Sequence, residues 1–342
     1  MGKEKIAIID LDYPKYSVAS VGEERYVEVT HEQSGRTREF KTKTEFYGHN
    51  TQGGWLADLN KKRQERGFEP FDPEGFTIVQ KQRVSEPLAN VLHSAKNLVE
   101  SALKATGATS YEAYLGKGTS FRHGIAKMQE YKGKRKDELK PLQLDEVTNY
   151  LQKKFRGEVV THLEADDKIV MRCKELLDQG KDAFIIGEDK DYRGAPVKFY
   201  DANRPQEGII DCRCFGELWL DDNLKSKPVL GKGRLFKYFQ ICFEDSVDCY
   251  KANKQSKVKW GKMSAYKALK DCKDDKEAWQ VLVDVYKKLY PEPVTFESWD
   301  GNTYTYSWLD CLQEITTCAD MLESEGNYLD VKETLDRLDV EY

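Results

Sequence analysis

The clearest pattern near the amino end is Ile6-Ala7-Ile8-Ile9, a short unbroken β-branched run that ends in Asp10-Leu11-Asp12. Runs of this kind form central strands covered on both faces of a sheet. From Tyr26 to Phe46 the pattern changes to Val27/Val29, the turn pair Ser34-Gly35 and then Arg-Glu-Phe-Lys-Thr, which predicts an exposed hairpin within an insertion of about residues 21–75. His49 to Pro73 is polar and rich in Gly and Asn, and reads as loop. Ser85 as a cap, Pro87 in the first turn and apolar Leu88, Val91, Leu92, Ala95, Leu98, Val99, Ala102 and Leu103 predict an amphipathic helix that Gly107 ends. Tyr111 to Leu115 and Val159-Val160 read as further strands. After Glu164-Ala165-Asp166-Asp167 a helix carries Ile169, Cys173, Leu176 and Leu177 on one face, and Gly180 stops it before the strand Ala183 to Ile186. A strand, a helix and a strand joined this tightly form a βαβ unit, so the class is α/β with an at least partly parallel sheet. From about Leu235 onward the pattern is mainly helical.

At 342 residues the chain is long enough for one large domain with insertions or for two domains. Lys plus Arg number 54 against 59 Asp plus Glu, a net charge of −5, and with 33% charged and 39% hydrophobic residues the balance is that of a well-solvated globular protein. No window approaches the roughly 18–20 apolar residues of a spanning helix, and Met1 to Lys5 does not begin a secretory signal. Eight Cys without CxxC spacing suggest neither a disulfide framework nor a zinc ribbon, so a cytoplasmic location is expected.

Acids and bases are segregated. Three apolar strands end in carboxylates: Asp10 and Asp12, then Glu164, Asp166 and Asp167, then Asp189 and Asp191. In a parallel sheet these ends share one edge, where open α/β sheets hold their ligands. Asp245 and Asp248 can join them from the helical region. Acids in turns and at helix starts are often merely solvated, but an i, i+2 spacing repeated at three strand ends is harder to explain that way. So many carboxylates in one cleft repel one another unless hard divalent cations neutralise them, most simply Mg²⁺ completed by phosphate oxygens. Two such ions about 4 Å apart can activate water and stabilise the leaving oxygen of a phosphodiester.

Lysines 251, 254, 257, 259, 262, 267 and 270 fall in one acid-free stretch, interleaved with Tyr250, Trp260 and Tyr266. Lys251, Lys254, Lys257, Lys259 and Lys262 are therefore candidates for contact with a nucleic-acid backbone. A second basic stretch holds Arg122, Lys127, Lys132, Lys134, Arg135, Lys136 and Lys140, with Tyr131 available to stack on a base. Acids that require metal and bases that require phosphate together point to a metal-dependent nuclease. The five His show no ligand spacing, and His162 reads as a packed strand residue. Cys212/Cys214 alternate as strand neighbours, and Gly231-Lys-Gly lacks P-loop spacing.

These motifs resemble the 5′-nuclease superfamily of flap endonucleases and 5′-to-3′ exonucleases, especially its bacteriophage members, some of which are named ribonuclease H. IIDLD is similar to the family's first metal-binding strand, LEADDKI to its Glu/Asp box and IIGEDKDY to its strand followed by Asp-x-Asp. FRHGIAKMQEYKGKR resembles the helical-arch signature of FR, a spacer and YKxxR. FEDSVDCYKA resembles the GDxxDN opening of the helix-three-turn-helix motif, WGKMSAYKAL the Gly-x-Lys-x-Ala segment after it, and SWDGNTYTYSWLDCLQE the tail of some phage members. Two departures stand out: Leu115 to Thr119 lacks an Asp that many members carry before FR, and Glu244 replaces Gly before Asp245.

The resemblance implies a central, mostly parallel sheet flanked by helices, a PIN-like fold. Residues 1–234 would form the nuclease core with an arch at about 116–145, and 235–342 a helical duplex-binding region and tail. It implies Asp10, Glu164, Asp166 and Asp167 around one ion and Asp189, Asp191, Asp245 and Asp248 around another, with Mn²⁺ as a substitute for Mg²⁺. Lys132 and Arg135 would contact the scissile phosphate, Arg122 and Lys134 the nucleic acid, and Tyr131 a base. The implied substrate is DNA with 5′ ends or flaps, in replication or DNA degradation and alongside replication proteins. Removal of RNA primers from RNA–DNA hybrids and non-catalytic junction binding are the alternatives.

Overall fold

The computed structural model describes residues 4–49, 53–221 and 225–342. In chain order its elements are β1 (Lys5–Asp10), α1 (Asp12–Val21), β2 (Glu23–His31), β3 (Thr37–Phe40), α2 (Lys43–Tyr47), α3 (Gly54–Glu65), β4 (Phe76–Val84), α4 (Leu88–Thr106), β5 (Ser110–Gly116) and α5 (Arg122–Ile125). They continue with α6 (Leu144–Phe155), β6 (Glu158–Val160), α7 (Ala165–Asp178), β7 (Asp182–Gly187), β8 (Lys198–Asp201), β9 (Ile209–Asp211), β10 (Glu217–Leu220), β11 (Val229–Lys232) and α8 (Arg234–Cys242). The carboxyl-terminal part holds β12 (Glu244–Asp245), β13 (Tyr250–Lys251), α9 (Lys262–Leu269), α10 (Asp275–Leu289), β14 (Val294–Glu297), β15 (Thr303–Tyr306), α11 (Trp308–Ala319) and α12 (Val331–Leu338).

The chain groups into two compact units: Met1–Pro14 with Lys96–Leu139 and Tyr150–Tyr342, and Lys15–Ala95 with Lys140–Asn149. The first contains a six-stranded sheet ordered β6-β5-β1-β7-β8-β9, in which only the β8–β9 pairing is antiparallel. The fold is thus mixed α/β with a mostly parallel sheet flanked by helices, as the apolar runs predict. Ile6 and Ile8 of β1 and Ala183 and Ile185 of β7 bury against Ile169, Cys173 and Leu176 of α7. A second core joins α8, α10 and α11 through Phe239, Trp279, Leu282, Tyr286, Leu312 and Ile315. Within the first unit α8 is buried from Leu235 to Cys242, and Gly194 sits directly against Lys237.

The second unit contains the antiparallel sheet β3-β2-β4, whose Val27, Val29 and Phe40 pack with Phe46 and Leu56. The expected hairpin is present as β2–β3. The loop expected over His49 to Pro73 is instead largely α3, apart from Asn50 to Gln52, which lie outside the described residues. Only Leu56 of α3 is buried, beside Trp55 near Phe40, so the helix has almost no apolar stripe and is held by this tertiary contact.

Ahead of α6, the segment expected to form a helical arch holds the four residues of α5 and a 3₁₀ turn at Gly133–Asp137. Gly116, Gly118, Gly124, Gly133 and Pro141 interrupt any longer helix. Among the described residues no helix is long and apolar enough to cross a membrane.

Candidate metal centre

Four chain segments converge at the carboxyl ends of the parallel strands. Asp10 ends β1, and its Oδ1 accepts the Asp12 amide at 2.7 Å. Glu164 is the N-cap of α7 and Asp166 lies in that helix's first turn. Asp189 follows β7 and accepts the Asp191 amide at 2.9 Å, which fixes the turn carrying both. Asp245 sits in the small β12–β13 hairpin after α8 and accepts the Val247 and Asp248 amides at 2.7 and 3.1 Å, turning Asp248 back toward the sheet. Side-chain oxygens that cap nearby amides in this way make such acidic turns locally stable.

The consequence is a chain of electrostatic repulsion that links eight carboxylates: Asp10, Asp12, Glu164, Asp166, Asp189, Asp191, Asp245 and Asp248. Burial, then Asp189 and Glu164, push Asp166 up to about 8. Burial and Asp191 push Asp189 up to about 8, and burial pushes Asp191 up to about 7. Asp10 and Asp248 are raised for the same first reason. Glu164 and Asp245 go the other way: burial opposes their charge, but Lys132 and Arg122 hold the first below the usual range and Lys190 holds the second.

The chain's own cations meet part of this charge. Lys132 Nζ bonds Glu164 and lies 3.7 Å from Asp248, which Arg135 also reaches at 3.1 Å. Lys190 Nζ bonds Asp245 and is 4.0 Å from Asp191, whose other partner is the Gln240 amide. Among the described residues no group of three or more His, Cys, Asp or Glu side chains is placed so that it could hold a metal ion. The donor chemistry nevertheless fits a hard divalent cation, being anionic oxygen throughout. Tyr250 adds an observation of a different kind. Its side chain is buried with a hydroxyl that has no hydrogen-bond partner among the described residues, and Asp191, Asp245 and Asp248 are its neighbouring charges. Buried hydroxyls are normally satisfied, and a hydrated ion held by those three acids would supply the missing partner.

Three sequence expectations change. Asp167 does not join the others: it is fully buried, with its carboxylate taken by a bidentate pair with Arg122 at 2.7 and 2.8 Å and by the Leu322 amide at 2.9 Å. Adjacent helical residues point about 100° apart, so Asp166 faces the acids while Asp167 faces the core. Arg122, expected at a phosphate, is 2% exposed and spends its guanidinium on Asp167, Glu164 and the Asp320 carbonyl. Tyr131, expected to stack on a base, is 2% exposed, with its hydroxyl 2.9 Å from Asp248 and 3.1 Å from Glu164. Asp167→Asn should therefore act on stability, leaving a buried guanidinium short of charge and costing about 3–5 kcal/mol of unfolding free energy by denaturant titration, equally with and without divalent ions. An unchanged midpoint would return Asp167 to the ion ligands.

The remaining candidates divide. Lys254, Lys257 and Lys259 are exposed and carry no ion pair among the described residues. Lys251 pairs with Glu244 at 3.0 Å, Lys262 bonds the Ser226 carbonyl at 3.1 Å and Lys134 the Ser246 carbonyl at 3.3 Å. Tyr250 is buried and so is no free stacking surface, while half-buried Trp260 bonds the Cys242 carbonyl through its indole N–H. His162 is exposed rather than packed, since β6 ends at Val160.

Sequence reasoning placed Asp12 at a strand end but gave it no ion; its carboxylate receives the Gly116 amide at 3.1 Å. It missed Tyr192, buried under the site with its hydroxyl 2.8 Å from Asp166 and 3.4 Å from Asp10. Gly187 makes room for that ring, because a Cβ there would stand 2.9 Å from it. Lys190 and Gln240 were also missed. The available signal was position, since Lys190 and Tyr192 flank Asp191 directly.

No protein-family model matches the chain, and no curated protein sequence does. Among solved structures, a bacteriophage T5 5′-exonuclease with bound zinc ions aligns at a TM-score of 0.40 and 17% identity, over 75% of this chain and 82% of that one. A T5 protein co-crystallised with metal ions aligns at 0.45 and 14%, over 92% and 88%. A T5 flap endonuclease in a pseudo-enzyme–product complex with DNA and metal ions aligns at 0.41 and 15%, over 72% and 89%. Three structures of bacteriophage T5 proteins are thus among the solved structures to which this chain is similar.

Proposed function

We propose that this chain is a divalent-metal-dependent 5′-nuclease that hydrolyses phosphodiester bonds in DNA at 5′ ends or flaps. The observation that carries this reading is the convergence of eight carboxylates from four segments, with Lys132 and Arg135 against them. Asp10, Asp12, Glu164 and Asp166 would hold one Mg²⁺, and Asp189, Asp191, Asp245 and Asp248 a second, with Mn²⁺ able to substitute. When bound, such ions activate water and stabilise the leaving oxygen. The chain's own residues do the rest. Asp10 and Asp166 are oriented by Tyr192, and Asp191 by Gln240. Lys132 and Arg135 bring positive charge to the phosphate as negative charge builds there. Exposed Lys254, Lys257 and Lys259 attract the duplex backbone without reading sequence.

The test is release of label from 5′-labelled flap, nicked, blunt and RNA–DNA hybrid duplexes in Mg²⁺ or EDTA. Cleavage in Mg²⁺ that EDTA abolishes is the expected result. Binding without cleavage of any substrate would leave only a junction-binding protein, and cleavage confined to the hybrid would turn the reading to removal of RNA primers.

A further inference from the structure

We propose that the carboxyl-terminal β14–β15 hairpin and α11 form a clamp that sets the position of Lys132, with Ser298, Trp299 and Glu314 as positioning residues. The clamp grips Ala126–Met128, an irregular segment that makes few backbone hydrogen bonds of its own. Trp299 Nε1 donates to the Ala126 carbonyl at 2.8 Å, and Ser298 Oγ to the Lys127 carbonyl at 2.8 Å. Glu314 Oε1 accepts the Met128 amide at 2.8 Å, while Gln255 Nε2 donates to the Met128 carbonyl at 2.8 Å. Asp300 adds an ion pair to Lys127 at 3.1 Å. All three carbonyls of the segment are therefore satisfied by side chains at least 127 positions away in the chain. A buried backbone without secondary structure has to find partners of this kind, and Ala126 and Met128 are 3% and 4% exposed within the core they share with α10 and α11.

What the clamp holds lies four residues further on. Lys132 has φ +54°, a left-handed conformation that a side-chain-bearing residue keeps only where its surroundings enforce it. Its amide donates to the Asp248 carbonyl at 3.0 Å and its ammonium group bonds Glu164, so the strained residue is tethered at the acids. The clamp is the second anchor, and Tyr131 packs into the same core between the two. Slack at Met128 passes along this short stretch to the Lys132 ammonium group, and a displacement of about 1 Å at a reacting group can cost about 100-fold in rate.

The inference rests on the proposed role of Lys132 in DNA cleavage, and the test separates the two. Amide hydrogen exchange over 120–137 and single-turnover cleavage of a 5′-labelled nicked duplex in Mg²⁺ are compared in wild type, Ser298→Ala/Trp299→Phe, Glu314→Ala and Glu314→Gln. Both the double variant and Glu314→Ala should exchange at least about 10-fold faster around 126–132. Each should cleave about 10 to 100-fold more slowly, with the half-saturating DNA concentration changed less than about twofold. Glu314→Gln keeps an oxygen to accept the Met128 amide and should behave as wild type. Should Glu314→Ala fail to fold, the double variant at the hairpin turn carries the comparison. Unchanged exchange in that variant, or faster exchange with an unchanged rate, overturns the clamp. Wild-type protein that does not cleave at all refutes the nuclease reading instead, and the exchange arm then decides the clamp alone.

Discussion

Replacing Asp189 and Asp191 together with Asn will lower phosphodiester hydrolysis at least about 100-fold, a barrier increase of about 2.7 kcal/mol, while DNA binding persists or tightens. Asn preserves shape and removes two negative charges from a cluster that Asp245 and Asp248 complete. A divalent ion held there would lose two anionic ligands, while an approaching phosphate backbone would lose two sources of repulsion. The same variant has a second readout without any metal. Asp189 is raised to about 8 and Asp191 to about 7, both first by burial. Groups whose folded-state pKa lies above the unfolded value stabilise the fold at low pH, and that stability is lost as pH rises through about 7 to 8. In EDTA the Asn variant should therefore melt above wild type at pH 8.5 and close to it below pH 4, where both forms are uncharged. Full activity in Mg²⁺, or no gain in melting temperature at pH 8.5, would remove these two acids from the site.

The two basic segments should separate by the step each serves. Lys254, Lys257 and Lys259 are exposed, so changing all three to Gln should weaken binding to every duplex and flatten the salt dependence by about one unit of slope per lost contact. Single-turnover cleavage at saturating DNA should stay near wild type. Lys132→Ala should do the reverse, cutting the single-turnover rate roughly 10 to 1000-fold with little loss of affinity. Its ammonium group lies against Glu164 and Asp248 rather than on the open surface, so its charge is concentrated where the reacting phosphate would approach. Measured on one substrate at one salt and metal concentration, a Lys132→Ala variant that loses only affinity, with a triple variant that loses only the chemical step, would mean that the roles are exchanged.

The parallel sheet and its acidic edge were legible in the sequence because both signals are local. A β-branched run followed within two residues by carboxylates carries strand, direction and chemistry in one short stretch, and β1 and β7 both have that form. The lysine-rich stretch was legible for the same reason, although only Lys254, Lys257 and Lys259 among the five candidates remained exposed and unpaired among the described residues. α3 was not legible, since a helix with one buried residue has almost no periodic signal and depends on the sheet it covers.

Residue type and spacing by themselves pointed to acids meeting at the strand ends, and tertiary structure decided which way each charge faces. Asp166 and Asp167 are neighbours in sequence and alike in chemistry, yet helix geometry turns one to the acids and the other to Arg122 in the core. Arg122 and Lys132 belong to one basic stretch, but burial commits the first to a bidentate internal pair, while the second stands among the converging acids. The partners of Ala126–Met128 lie from 127 to 186 residues away, and contacts at that separation leave no periodicity for a sequence to display. Local pattern selects the elements and the chemistry, whereas the direction of a charge and the rigidity of the segment that carries it depend on packing between distant parts of the chain.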